Sequence, residues 1–239
     1  MHRDGPAQVM MLAMFARLPL VAMVVLLPAV NVTGRGAGPA WHAVIGVGLV
    51  ILLALIAVWA GLSAADLGLA RENAARGLRW GGVTAAVVLA VAGLAFALPP
   101  SRDLLAGTSD ASWARVLAEV LVFIPLGTVL PEELAFRGVL WALLRRESGE
   151  VTATVVSSAL FGLWHVLPAL TGSAANQAAA ATLGSGVGGT VLRVVGTVVF
   201  TGLAGVVLCL LRIRSGSLLA PIIAHWAVNS VGTLLVVAA

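Results

Sequence analysis

The sequence predicts an all-α fold, a polytopic helical membrane protein with about seven to eight transmembrane helices. Three observations predict it. First, 60% of the 239 residues are hydrophobic and only 10% are charged, with mean hydropathy +1.06, whereas an ordinary soluble domain carries about 25% charged residues. Second, the apolar residues fall into runs close to the roughly 20 residues that a helix needs to cross a bilayer. Third, all 14 basic residues are arginine, and most stand in short groups between those runs, as topology determinants do.

In chain order the expected spans are 8–31, 41–63, 80–98, 113–130 running on to 146, 151–169, 190–211 and 217–238. The first holds Arg17, Pro19 and Pro28 but is not followed by a tidy small-residue cleavage site, so it reads as a retained membrane segment. With the N-terminus inside, the inner segments carry Arg3, Arg71, Arg76, Arg79, Arg145, Arg146, Arg212 and Arg214, and the outer ones Arg35, Arg102 and Arg115. Residues 113–146 exceed one perpendicular crossing, since 34 helical residues extend about 51 Å. Pro125 and Pro131 offer a bend there, and Pro131 suits the first turn of a new helix, with Glu132 and Glu133 at its positive end. Residues 170–189, with Gly172, Gly184, Gly186, Gly188 and Gly189, read as an outer loop and a candidate gate.

The composition also excludes classes. No basic stripe is interleaved with aromatics, so nucleic acid is not an expected partner. Cys209 is the only cysteine, which rules out an intramolecular disulfide or a cysteine-based metal site. The glycines form no phosphate loop, because the chain has no lysine.

Against this apolar background three short motifs stand out: Glu132-Glu133-x-x-x-Arg137, Phe161-x-x-x-His165 and His225-x-x-x-Asn229. An ionised group in mid-bilayer costs about 2.5–3.5 kcal/mol on insertion scales, so a cluster of them demands a reason. The i,i+4 spacing sets both members of a pair on one helix face. Glu133 can pair with Arg137, leaving Glu132 about 100° round the axis to point elsewhere. Measured from the inner helix ends at 1.5 Å per residue, Glu132, His165 and Asn229 all lie about 20 Å deep and His225 about 13 Å. Polar groups from separate spans thus share one layer of the membrane.

Such a layer can perform hydrolysis. A carboxylate and a neutral imidazole hold a water and remove its proton as it attacks a carbonyl; a second imidazole and an amide, His225 and Asn229, donate hydrogen bonds to the oxyanion. A metal reading competes, with Glu132, His165 and His225 as a zinc set, although the H-E-x-x-H helix is missing; the metal-free route is preferred. Glu133 with Arg137 reads as a structural ion pair. Phe161, Trp164 and Trp226 are expected to pack, or to line a substrate groove, while His2, His42, Arg17 and Arg193 receive structural roles. Two rivals remain. One is a non-catalytic protein that binds a membrane-active peptide, as in bacteriocin immunity. The other is a transporter with a Glu132–Glu133 proton relay, which no inverted repeat supports.

In this order, and on successive apolar segments, the three motifs resemble those of the CPBP family of intramembrane proteases, also called the Abi or CAAX-protease family, whose eukaryotic relative is the Rce1-type CAAX prenyl endopeptidase. The resemblance covers about residues 113–236, so 113–239 is taken as the catalytic bundle and 1–112 as variable N-terminal helices, together one membrane-integrated domain. It implies that Glu132 and His165 activate water, that His225 and Asn229 support the oxyanion, and that Glu133, Arg137 and Phe161 brace the site. It implies a peptide or membrane-protein substrate and a multi-pass location in the cell membrane, and it leaves zinc, oligomeric state and the natural substrate open.

Overall fold

The computed structural model describes residues 6–33, 38–98, 112–170, 184 and 186–238. They are helical, with no strand among them. The helices are α1 (Pro6–Thr33), α2 (Pro39–Trp59), α3 (Ala64–Leu67), α4 (Ala74–Ala97), α5 (Trp113–Ala118), α6 (Leu130–Glu133), α7 (Trp141–Trp164), α8 (Val166–Leu170), α9 (Val187–Ser215) and α10 (Leu219–Ala238).

Among the described residues four helical runs are long and apolar enough to cross a membrane: Pro39–Trp59, Ala64–Ala97, Trp113–Leu170 and Val187–Ser215. The expected count of seven to eight would need more: the shorter apolar stretches Leu18–Val32 and Leu219–Leu234, and a division of the long third run. That run does break, at Gly149, where φ is +83° and ψ 173°. Only glycine takes up this backbone without steric cost. Between Trp113 and Trp141, by contrast, the path stays helical straight through Pro125 and Pro131. Wide i→i+5 turns over Glu119–Phe123, Pro125–Val129 and Leu134–Leu140 accommodate it. No helix end falls at the prolines, where the wider turns offset the missing N–H groups. The break at Gly149 lies between the expected spans ending at 146 and starting at 151.

Helices pack by burying one stripe each. In α2 the buried positions are Gly46, Leu49, Leu53 and Ala57, a three-to-four-residue spacing that marks a single face. It meets the Pro125–Val129 turn, while α4 packs on α10 and α7 on α9. The opposite faces stay apolar and exposed, as with Ile51 and Leu55 on α2 and Phe200 and Leu203 on α9. In water such a surface would drive association; in lipid it is the expected exterior. These features make the chain an integral membrane protein.

One end of the bundle is tied by arginine. Arg146 donates to the carbonyls of Ala60 and Gly61 and to Asp66, Arg145 lies 3.6 Å from the same carboxylate, and Arg212 donates to the Asp66 carbonyl. The three arginine-bearing segments assigned to the inner side thus meet one another. Of the other sequence expectations, His2, Arg3, Arg35, Arg102 and most of the 170–189 loop lie outside the described residues, as does the Arg17 side chain.

Candidate active site

The first motif sits where wide turns flank one tight turn. α6 presents Glu132 and Glu133, and the following Leu134–Leu140 turn carries Arg137. A wide turn shifts backbone groups out of register, and here the Phe136 carbonyl is met by the Ser157 hydroxyl at 2.6 Å. Such turns recur at functional sites because they re-aim side chains.

Glu133 and Arg137 are both fully buried. The Arg137 guanidinium donates to Glu133 Oε1 at 2.9 Å, the i,i+4 pair that the spacing predicts. α9 approaches this pair closely at Gly205. A Cβ there would stand 3.1 Å from Ser158 and 3.2 Å from Arg137 Nη2, so the residue has to be small.

The second motif lies at the C-terminal end of α7. His165 follows Trp164 as the helix cap, and its Nδ1 is 2.8 Å from the Phe161 carbonyl. A carbonyl only accepts, so Nδ1 carries the hydrogen, and the neutral ring keeps its lone pair on Nε2. The third motif comes from α10. His225 Nδ1 donates to Glu133 Oε1 at 2.8 Å, and its Nε2 lies 4.0 Å from Glu132 Oε2.

Phe161 occupies the centre of all three. Its ring is 4.0 Å from the Arg137 guanidinium, 4.7 Å from the His165 ring and 5.9 Å from the His225 ring, both rings edge-on. A buried arginine over an aromatic face gains electrostatically from the ring quadrupole. Phe161 is therefore the surface on which the motifs assemble.

Glu132, Glu133, Arg137, Phe161 and His225 are thus drawn into one cluster, with His165 joined to it through Phe161. Asn229 stands one turn beyond His225 on α10 and is half-buried; among the described residues its side chain makes no hydrogen bond. Glu132 itself has a partner that sequence reasoning missed. The Trp164 indole N–H donates to Glu132 Oε1 at 2.9 Å. The sequence carries no signal for this, since a tryptophan in an apolar helix reads as packing. Trp226, also read as packing, spends its N–H on the Val120 carbonyl, and Arg193 reaches the Ala169 carbonyl.

Among the described residues no three of histidine, cysteine, aspartate and glutamate group as a metal-binding set. Each histidine donates its Nδ1 hydrogen to an oxygen and leaves Nε2 open, which is also how a metal-bound imidazole is held, so Glu132, His165 and His225 keep the donor types of a zinc set. No step below runs through a metal.

A family model described as type II CAAX prenyl endopeptidase Rce1-like matches residues 113–231, the stretch that contains all three motifs. No curated protein and no solved structure matches the chain.

Proposed function

Residues 113–231 make this chain a member of the Rce1-like branch of the CPBP/Abi family of CAAX-type intramembrane proteases, and from that premise we propose that it cuts a peptide bond of a membrane-associated peptide or protein at a site centred on Glu132. One observation carries the reading. The Glu132 carboxylate has one oxygen held by Trp164 and the other free of hydrogen bonds, 4.0 Å from His225 Nε2. A water bonded to both atoms spans such a gap.

The chemistry follows from the ring tautomers. Glu132 Oε2 accepts the proton of the attacking water. His165, protonated at Nδ1, offers its Nε2 lone pair to the same water or to the proton that leaves it. The attack converts the scissile carbonyl into an oxyanion, which needs donors. The Asn229 amide supplies one. His225 Nε2 supplies another when it carries a hydrogen, with Glu133 holding the ring in place through Nδ1. Proton return from Glu132 to the leaving amine completes the hydrolysis, so atoms and charge balance without a cofactor. The family description names prenyl-protein endopeptidases; for this chain the assignment extends to the substrate class alone.

The test compares the peptides in membranes that hold the wild-type protein with those holding Glu132→Gln. A fragment released only by the wild type supports the reading, and identical peptide sets from folded, inserted proteins overturn it.

A further inference from the structure

α7 ends at Trp164 because of the residues that follow. In a continuing helix the Trp164 carbonyl would receive the N–H of residue 168, and that residue is Pro168, which has none. The orphaned carbonyl is filled from a neighbouring helix 133 residues away in sequence: Asn31 Nδ2 of α1 donates to it at 2.7 Å. Asn31 is a polar residue in an otherwise apolar wall. It lines a cavity of about 320 Å³ between α1 and α7, together with Met23, Leu27, Phe136, Leu160 and Trp164.

Trp164 is therefore held at both ends. Its carbonyl is fixed by Asn31, its ring stands edge-on to Phe136 at 5.8 Å, and its indole N–H reaches Glu132 Oε1. A glutamate carboxylate turns easily about its last torsion, which is broad and roughly two-fold. With Oε1 tied to the indole, Oε2 is left facing His225 Nε2. Without that donor the carboxylate has no neutral partner to choose between its two faces, since Arg137 pairs with Glu133 rather than with Glu132.

We propose that Trp164 is a positioning residue for Glu132 and that Asn31, through the carbonyl orphaned by Pro168, holds it in place. The first helix thereby belongs to the reaction machinery rather than only to the scaffold. This inference rests on the proposed function, with Glu132 as the water-activating base.

The experiment uses the purified full-length protein in lipid vesicles. Its probe is the peptide whose release separates wild type from Glu132→Gln, remade with a fluorophore and a quencher. Trp164→Phe keeps an aromatic wall and removes the N–H. Its kcat is expected to fall about ten-fold or more, the effect of losing one hydrogen bond to a charged group, with KM within about two-fold and the melting temperature unchanged. Asn31→Ala lowers kcat in the same sense by a smaller factor. Trp164→Gly is then supplied with indole or with 1-benzothiophene, which has the same shape and no N–H. Indole restores cleavage and benzothiophene does not.

Wild-type kcat in Trp164→Phe overturns the proposal, as does equal rescue by the two compounds, which would mark a space-filling role. Where Glu132→Gln is inactive and Trp164→Phe is fully active, only the positioning role fails. Cleavage of the probe by purified Glu132→Gln removes the parent reading as well.

Discussion

His225 on α10 donates through Nδ1 to the Glu133 carboxylate at 2.8 Å, joining residues 92 apart in sequence inside a buried pocket. The same oxygen accepts from Arg137 at 2.9 Å. Glu133 thus does two things: it neutralises the arginine and sets the orientation of an imidazole whose other nitrogen faces Glu132.

Removing that carboxylate leaves Arg137 buried without its counter-ion, a situation that costs about 3–5 kcal/mol. Glu133→Ala is expected to lower stability by that order, read by chemical unfolding in detergent. Glu133→Gln keeps an acceptor and loses less. Equal stability of Glu133→Ala and wild type would show that the pair contributes nothing net.

His165→Ala removes the Nε2 lone pair assigned to the attacking water. General acid–base groups of this kind contribute about 10²–10⁴-fold, so kcat on the cleaved peptide should drop by that range while the melting curve stays in place. A loss smaller than about ten-fold would move His165 out of the chemistry and leave it a packing partner of Phe161.

Asn229→Ala tests the oxyanion donor. Deleting one such donor typically costs about 10²–10³ in kcat, with KM little changed, since the oxyanion exists only after attack. A rise in KM with kcat preserved would assign Asn229 to substrate binding.

Chelation separates the two chemistries that the residue types allow. Cleavage in the presence of 1,10-phenanthroline or EDTA is expected to persist with at most partial loss. One zinc per active protein, with activity lost on removal and regained on re-addition, would reverse this expectation.

How far could the sequence be read? The all-helical membrane fold was legible because its signals are local: apolar runs of bilayer length and arginines between them. Glu133–Arg137 was legible for the same reason, as an i,i+4 pair on one helix. The His225–Glu133 bond was not, because nothing local says which of two adjacent carboxylates a histidine 92 residues away will meet. Trp164 escaped notice since an indole donor looks like packing until its acceptor is in view. Pro168 did hold a readable clue, for a proline four residues after Trp164 orphans that carbonyl in any helix. The break at Gly149 was legible as the gap between the spans ending at 146 and starting at 151, whereas Pro125 and Pro131 end no helix because the wide turns absorb their missing donors.

The 92-residue gap between Glu133 and His225 also sets an order of events during synthesis. The Glu133–Arg137 pair needs only its own stretch of helix, so it can close while the ribosome is still making α9. His225 arrives with α10, and until then Glu133 has no imidazole to orient. On the proposed mechanism, a nascent chain halted before α10 enters the bilayer would hold Glu132 and His165 yet lack His225 and Asn229, and so would stay latent towards neighbouring membrane proteins until its own insertion reached that helix.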